Sequence, residues 1–341
     1  GAFLINIFQT YFKGGILYFL SSIFISLSSL LIAPLVINGI GLATYGVYVM
    51  YISSIPLIIS ILSFGLGFIA KRYMPSANSM KKIEELYIPQ FYIRLLILLS
   101  FITVVFLSVY FLKREFINLE NLAFFFFPVF YFFYEQIFDF YRFTHKLATS
   151  SLMGFLYNLL IVLLIYISIY TGYANNLNDL IAIHLICVLP LILFYFPQVF
   201  LKISFKPIIY KKFSDFKNDI NLGLPLVLNN FNETLINIGD RYLIGFIVSA
   251  AAVGLYSPSY AIGCFLIILA RISTGVLPPI LSNLYDNNDL ASFRNILSLA
   301  LKFYFSLSFA FFIGANVYGD EFLAIYINPE FSENSSQQIL L

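Results

Sequence analysis

The sequence predicts an all-α polytopic membrane protein, and three observations support this prediction. Of the 341 residues, 60% are hydrophobic and 11% are charged, whereas soluble domains carry about 45–50% apolar and about 25% charged residues. The apolar residues form separate blocks of roughly 20 residues, each long enough to cross a hydrocarbon core about 30 Å thick as a helix. The blocks also lack the alternation that is typical of barrel strands of about ten residues.

Nine blocks are long enough to span the membrane, and "SSQQILL" at the end of the sequence begins a tenth. Because the sequence starts without methionine and ends inside an apolar block, we expect it to be part of a longer protein. The predicted spans are Gly14–Asn38, Gly46–Ala70, Phe91–Leu112, Ala123–Tyr141, Leu152–Gly172, Asp179–Leu201, Ile220–Val248, Leu255–Leu281 and Ile296–Val317.

The distribution of Lys and Arg predicts the orientation. Connections on the side of the N-terminus carry thirteen of these residues, and connections on the other side carry only Lys113 and Arg114. Because cytoplasmic loops retain positive charge, the N-terminus is predicted to be cytoplasmic. The remaining four cations lie within or near apolar spans: Arg94, Arg241, Arg271 and Lys302.

The chain is predicted to form two lobes of a transmembrane bundle. The lysine-rich stretch 202–219 is the most polar long connection, and we interpret it as a cytoplasmic linker between an N-terminal lobe (1–201, helices 1–6) and a C-terminal lobe (220–341, helices 7–9 and the start of the tenth). Both lobes carry Gly-x-Tyr after a short loop, at Gly46/Tyr48 and at Gly254/Tyr256. An even number of spans separates the copies, as in transporters with parallel repeats. The alternative is chance recurrence in a chain rich in Gly and Tyr.

Span seven carries an unusual polar stripe. Asn230, Glu233, Asn237 and Asp240 are spaced by three, four and three residues, which places them on one helix face. An ionised side chain at the bilayer centre costs about 2.5–3.5 kcal/mol on insertion scales. The stripe is therefore predicted to face protein or a watery cavity.

Spans four, eight and nine contain further polar positions. Span four carries Glu135, Asp139, Arg142 and Lys146 at helical spacing, span eight carries Arg271, and span nine carries Lys302. A structural or interfacial role is equally compatible with Arg142, Lys146 and Lys302, because a lysine near a helix end can snorkel to the interface. Arg271 lies deeper, which favours a cavity. For Asp240 and Arg241 we favour an ion pair at the helix end.

The sequence gives no indication of an enzyme. It contains no Walker-type phosphate loop, no HExxH and no GxSxG motif, and the connections between spans are too short for a soluble catalytic domain. Cys187 and Cys264 both lie inside spans and predict neither a disulfide framework nor a metal cluster. His145 and His184 are interpreted as structural or interfacial. We expect no cofactor, no metal and no nucleic-acid partner.

The stretch "LPLVLNNFNETLINIGDRYLIGFIVSAAAVGLYSPSYAIG", Leu224–Gly263, resembles a segment of the polysaccharide-transporter branch of the multidrug/oligosaccharidyl-lipid/polysaccharide exporter superfamily. In that branch a helix that begins near Leu-Pro leads to Asp-Arg, then Gly, then Val-Gly-x-Tyr. The resemblance therefore falls on Asp240, Arg241, Gly245, Gly254 and Tyr256. "TYGVYVMYIS" and "LSFGLGFIAKRY" are similar to the corresponding first-lobe segments, and the Wzx-type O-antigen flippases are the most similar group.

The resemblance implies two six-helix lobes that alternate between inward-open and outward-open states in the bacterial inner membrane. The implied substrate is an oligosaccharide on undecaprenyl diphosphate, with membrane lipids and polysaccharide polymerase machinery as further partners. Cavity cations receive the diphosphate in such families. The implied substrate-binding residues are Arg271, Lys302, Arg142, Asn230 and Asn237.

Several alternatives stay open. Span one contains no Arg, and the only cation next to it is Lys13. This disfavours a lipid II flippase, because those relatives place essential arginines early in the first lobe. Drug/cation antiporters of the same superfamily use acidic residues for H⁺ or Na⁺ coupling. The coupling candidates here suit either branch and do not decide between them: Glu135, Asp139, Glu233 and Asp240. A membrane-embedded polysaccharide polymerase is a further alternative, but such enzymes generally need a larger external loop.

Overall fold

A computed structural model of the chain describes residues 2–63, 65–74, 80–112, 122–144, 146–201, 213–264, 281, 284–285 and 289–331. The described residues form helices and contain no strand. The ten helices are α1 (Ala2–Gly39), α2 (Leu42–Leu62), α3 (Leu66–Tyr73), α4 (Met80–Leu112), α5 (Leu122–Phe143), α6 (Leu147–Tyr170), α7 (Leu177–Phe200), α8 (Phe213–Ile247), α9 (Ala250–Gly263) and α10 (Leu290–Tyr326). A short 3-10 turn, Pro329–Phe331, follows α10.

Seven of the described helices are long and apolar enough to cross a membrane: α1, α2, α4, α5, α6, α7 and α10. This confirms the predicted all-α polytopic membrane fold. They correspond to predicted spans one to six and nine. Helix α8 corresponds to span seven, but the polar stripe that it carries makes it less apolar than the seven helices above. Helix α9 has 14 residues and covers only the first part of span eight.

The second span differs from its prediction. It was expected to run unbroken over Gly46–Ala70, but α2 ends at Leu62 and α3 begins at Leu66. Gly65 lies between them with φ +80°, a left-handed conformation that glycine adopts without a steric cost. A Cβ at Gly65 would also overlap the backbone of Gly223. The break therefore lets α8 approach this turn closely.

Other helices extend beyond the predicted spans. Helix α4 begins at Met80, well before Phe91, because Ile83 and Tyr87 are buried and continue the packed face beyond the apolar block. Helix α8 begins at Phe213, so the end of the predicted linker is helical. The remainder of the linker, most of span eight after Gly263 and the start of the tenth span lie outside the described residues.

Proline residues within the helices remove backbone hydrogen bonds, and tyrosines replace two of them. Proline lacks an N–H and leaves the carbonyl four residues earlier without its helical donor. Pro128 in α5 frees the Phe124 carbonyl, which accepts a 2.8 Å hydrogen bond from the Tyr51 hydroxyl. Pro34 in α1 frees the Leu30 carbonyl, which accepts from the Tyr326 hydroxyl. Both bonds join different helices, as expected where lipid offers no hydrogen-bond partner.

Helices α1 and α6 pack through small and polar residues. The Ser21 hydroxyl donates to the Ser151 carbonyl at 2.8 Å, and the Ser28 hydroxyl donates to Asn158 Oδ1 at 2.9 Å. A Cβ at Gly154 would lie 3.2 Å from Ile25, so glycine allows close approach. Such contacts drive helix association in membranes, where apolar burial contributes little.

The two Gly-x-Tyr segments pack against each other where α2 crosses α9. A Cβ at Gly46 would overlap the Ala250 carbonyl oxygen, and a Cβ at Gly254 would overlap the Leu42 carbonyl oxygen. Each partner carbonyl lies four residues before the opposite glycine. This reciprocity is the pattern of an isologous contact around a two-fold axis.

Three helices begin at side-chain caps. At α9 the Ser249 hydroxyl oxygen accepts from the amide three residues later at 3.1 Å. Asn176 Oδ1 accepts from the Asp179 amide at 3.1 Å, and the Asp179 carboxylate accepts from the Asn176 amide at 3.2 Å, which forms a capping box at α7. Asp289 accepts from the Ser292 amide at the start of α10. Hydrogen bonds from Ser292 lower the pKa of the exposed Asp289 carboxyl.

Candidate functional site

A cavity of about 540 Å³ lies within the helix bundle. Helices α1, α2, α5, α6 and α7 form its wall, and Arg241 of α8 completes it. Its size falls within the range of about 300–1,000 Å³ that ligand pockets have. The lining combines aromatic side chains with ionisable ones, so a mainly apolar cavity contains several polar groups.

Helix α5 supplies the ionisable side of the cavity. Glu135, Asp139 and Arg142 all line it, which shows that most of the polar stripe of span four points to one side, as helical spacing predicts. Asp139 is buried, whereas Arg142 is exposed near the end of α5. The fourth member, Lys146, is exposed next to the start of α6.

Glu135 also faces a buried arginine on α4. Arg94 is only 7% exposed, and its Nη2 lies 3.9 Å from Glu135 Oε2. Arg94 Nη1 donates to Gln136 Oε1 at 3.1 Å, and the guanidinium lies 5.4 Å from the centroid of the Phe132 ring. The separation of 3.9 Å is longer than a hydrogen bond. The pair is therefore held mainly by charge attraction between a buried guanidinium and a carboxylate whose side chain is 27% exposed.

A second cavity of about 240 Å³ lies beside this ion pair. Its lining includes Ser60 of α2, Ser63 directly after α2, Arg94 of α4 and Thr234 of α8. Gly67 provides room for the arginine, because a Cβ there would lie 3.1 Å from Arg94 Cζ. Glu135 lines both cavities, so its carboxylate lies between them.

A histidine and two tyrosines form a hydrogen-bonded triad in the wall of the main cavity. His184 is buried, with Nε2 2.7 Å from the Tyr48 hydroxyl and Nδ1 2.9 Å from the Tyr157 hydroxyl. The triad joins α2, α6 and α7. The sequence did not indicate that His184 lies in the cavity wall. The partners of a single histidine are on other helices and cannot be deduced from its position in the sequence.

Asp240 and Arg241 have separate side-chain partners. The Tyr256 hydroxyl donates to the Asp240 carboxylate, which also accepts from the Arg241 amide at 2.7 Å. The Arg241 guanidinium lies 5.0 Å from the centroid of the Tyr260 ring and lines the main cavity. The sequence favoured an ion pair between Asp240 and Arg241 at the helix end. In the described residues, these two side chains contact Tyr256 and Tyr260 instead.

The two arginines lie at opposite ends of the cavity. Helices α2, α5 and α7 run in the same direction, because His184 contacts both Tyr48 near the start of α2 and Phe127 near the start of α5. Arg142 is at the far end of α5. Arg241 is on the side where α2 begins, since its charge acts on Tyr45, the fourth residue of α2.

The other predicted site residues that the structure describes do not line the two cavities above. Glu233 and Lys302 are exposed, and the Asn237 amide donates to the Glu233 carbonyl at 2.8 Å. Gly245 belongs to a packing contact, because a Cβ there would lie 2.7 Å from Met50 Sδ, and it lines a separate cavity of about 280 Å³ between α2 and α8. Arg271 and His145 lie outside the described residues, as does the side chain of Asn230.

Sequence reasoning missed two parts of the site. Arg94 was recognised as a cation within a span, but its partner Glu135 is on another helix, where helical spacing cannot connect them. The cavity tyrosines carried no signal, because the chain contains 25 Tyr. Over the described ranges, no three His, Cys, Asp or Glu residues are placed to hold a metal ion.

Comparison with known protein families gives one result for this chain. A family model described as polysaccharide biosynthesis protein matches residues 11–285, which is more than half of the chain. No curated protein and no solved structure matches significantly. The matched range includes every helix that lines the two cavities.

Proposed function

Because the chain belongs to the polysaccharide biosynthesis protein family, we propose that it is a flippase for lipid-linked oligosaccharides. Its substrate is an undecaprenyl-diphosphate-linked repeat unit of O-antigen or capsule, which moves from the cytoplasmic to the periplasmic leaflet of a bacterial inner membrane. The protein acts as a transporter and not as an enzyme. The observation that carries this proposal is a cavity that contains arginine and other polar side chains within an otherwise apolar helix bundle.

The cavity charges suit the head group of such a lipid. A diphosphate is anionic and accepts charge-assisted hydrogen bonds, which arginine donates in a planar, bidentate geometry. Arg142 and Arg241 offer such contacts at the two ends of the cavity. The polyprenyl chain stays in lipid, so only the polar part of the substrate needs a polar path.

The two arginines imply an order of contacts. With the N-terminus in the cytoplasm, Arg142 lies toward the cytoplasmic side and Arg241 toward the periplasmic side. The head group therefore meets Arg142 first and is then drawn toward Arg241. For the substrate to leave outward, helices at the periplasmic end must separate, and the close contact between α2 and α9 lies at that end.

The carboxylates favour a second candidate, a drug/cation antiporter. Glu135 and Asp139 line the same cavity, and carboxylates inside a membrane are typical of H⁺ or Na⁺ pathways. In the flippase, the same residues serve ion coupling: protonation of Glu135 or Asp139 changes the charge next to the substrate. The nature of the transported molecule distinguishes the two candidates.

Genetic complementation tests the proposal. A strain that lacks the gene is expected to accumulate polyprenyl-linked repeat units on the cytoplasmic leaflet and to lose surface polysaccharide. The intact gene restores both, whereas Arg241→Ala reduces transport roughly tenfold to hundredfold, since a hydrogen bond to a charged group is worth about 1.5–3 kcal/mol. The measurement is the amount of lipid-linked intermediate and of surface polysaccharide.

Arg294→Ala is the matched control, because Arg294 is exposed on α10 and lines neither cavity. It should complement the deletion fully at equal membrane levels. Normal surface polysaccharide in the deletion strain, with no second flippase gene present, would contradict the proposal and favour the antiporter.

A further inference from the structure

Three tyrosine hydroxyls in the main cavity have no hydrogen-bond partner among the described residues. Tyr45 on α2 and Tyr134 on α5 are 4% and 6% exposed, and Tyr131 lies one turn before Tyr134. All three line the cavity. None of their hydroxyl oxygens belongs to the fully enclosed polar atoms that lack a partner. Their hydroxyls therefore open into the cavity.

This arrangement points to a ligand with hydrogen-bonding groups. A buried tyrosine hydroxyl usually finds a partner, because leaving it unsatisfied costs about 1–3 kcal/mol. Tyr51 and Tyr87 follow that rule, since their hydroxyls donate to the Phe124 and Gln136 carbonyls. The three cavity tyrosines do not follow this rule, and all three line the same cavity. Molecules that enter the cavity can supply the partners of these hydroxyls.

The tyrosine wall is held rigidly. Tyr48 and Tyr157 are fixed by His184 on both of its ring nitrogens. Tyr157 in turn lies 5.0 Å from the ring centroid of Tyr134 and 6.5 Å from that of Tyr131. His184 thus acts as a positioning residue: it sets the places of two rings against which the others pack. A rigid wall loses little conformational entropy when a ligand binds.

We propose that Tyr45, Tyr131 and Tyr134 form the sugar-binding subsite of the cavity, where they recognise a saccharide unit of the transported lipid. The inference rests on the proposed function and assigns the sugar and the diphosphate to different residues. A sugar ring offers apolar C–H faces for the aromatic rings and hydroxyl groups for the tyrosine hydroxyls. The arginines at the ends of the cavity receive the phosphates.

The hydroxyls distinguish this subsite from one for organic cations. An aromatic cage attracts a cation through the ring faces, and the tyrosine hydroxyl is not required. A sugar uses both the ring and the hydroxyl. Exchange of tyrosine for phenylalanine keeps the ring and removes only the hydroxyl, so it should weaken sugar binding and leave binding of an organic cation unchanged.

The test measures binding to the purified full-length protein. These 341 residues contain no tryptophan, and Phe138 lines the cavity. Phe138→Trp therefore provides a fluorescence reporter, whose signal is the difference between this variant and the protein with Phe138. The probes are polyprenyl-diphosphate saccharides extracted from the strain that carries the gene, polyprenyl diphosphate without sugar, and tetraphenylphosphonium. In the reporter background, Tyr131→Phe and Tyr134→Phe should each weaken binding of the saccharide-bearing lipid by roughly 2- to 10-fold, the value of one hydrogen bond.

Tyr195→Phe is the matched control. Tyr195 is buried on α7 and does not line the cavity, so this variant should bind every probe like the reporter protein. The cavity variants should bind the sugar-free lipid normally. Equal losses for the lipids with and without sugar, or no loss for either, would overturn the sugar subsite and leave the flippase intact. If the reporter protein bound tetraphenylphosphonium and neither lipid, the proposed function itself would fail.

Discussion

Replacing Arg94 with methionine is expected to lower the free energy of unfolding by about 1–3 kcal/mol, the cost of leaving buried hydrogen-bonding groups without a partner. The cost stays below that of breaking a fully buried ion pair, because the Glu135 side chain is 27% exposed. Arg94 is 7% exposed, and its Nη2 lies 3.9 Å from the Glu135 carboxylate. Methionine fills similar space but supplies no charge. The Glu135 carboxylate then lacks the opposing guanidinium. Detergent-solubilised protein unfolded by SDS and followed by circular dichroism measures the loss.

The double variant provides the decisive control. Arg94→Met combined with Glu135→Met removes both charges, and replacement of a buried pair by apolar residues is often neutral or stabilising. The double variant should therefore be more stable than Arg94→Met alone, with a coupling energy within the range of about 0.5–3 kcal/mol that contacting residues show. Additive losses would show that the two side chains do not act as a pair. Transport should fail in the double variant even where stability returns, because Glu135 also lines the main cavity.

A leucine at Gly254 is expected to separate α2 from α9 and to reduce transport tenfold or more. A single Cβ at this position already overlaps the Leu42 carbonyl oxygen, and that atom belongs to helix backbone, which cannot rotate away. Overpacking of this kind costs about 1–3 kcal/mol or more. Gly46→Leu should have the same effect, because a Cβ there overlaps the Ala250 carbonyl oxygen. Transport is measured by complementation at matched membrane levels.

Gly314→Leu is the control for these two variants. An added Cβ at Gly314 meets no atom within 4 Å, and leucine favours a helix over glycine by up to about 1 kcal/mol. This variant should support transport and be at least as stable as the original protein. If all three leucine variants behaved alike, the contact between α2 and α9 would have no special role.

The sequence predicted the helices well because hydrophobic length is a direct requirement of the bilayer. Seven predicted spans became helices that are long and apolar enough to cross a membrane. The break at Gly65 was not foreseen, since it depends on the backbone of Gly223 in a distant helix. The early start of α4 was missed for a similar reason: Ile83 and Tyr87 are packed although they lie among charged residues.

The candidate site was only partly predictable. The α5 stripe of Glu135, Asp139 and Arg142 could be found because its members belong to one helix with a regular period. The α8 stripe had an equally regular spacing, but Glu233 is exposed and Arg241, outside the stripe, lines the cavity. Periodicity shows which residues share a face, and only tertiary packing decides where that face points.

The contact between the two Gly-x-Tyr segments also depends on tertiary packing and not on periodicity. Gly-x-Tyr was recognised as a repeated motif from sequence, and its two copies contact each other across α2 and α9. Nothing in the spacing predicted that the repeats would touch. That contact follows from the close approach that two glycines permit.

Direct measurement of lipid movement tests the central claim. Purified full-length protein is reconstituted into liposomes with radiolabelled polyprenyl-diphosphate saccharide from the host strain, and a membrane-impermeant glycosidase reports the fraction of sugar exposed on the outside. We expect protein-containing vesicles to make the inner pool accessible over time, and vesicles with Arg241→Ala to do so at least tenfold more slowly. Equal accessibility with and without the protein, in vesicles that hold correctly folded protein, would contradict the account.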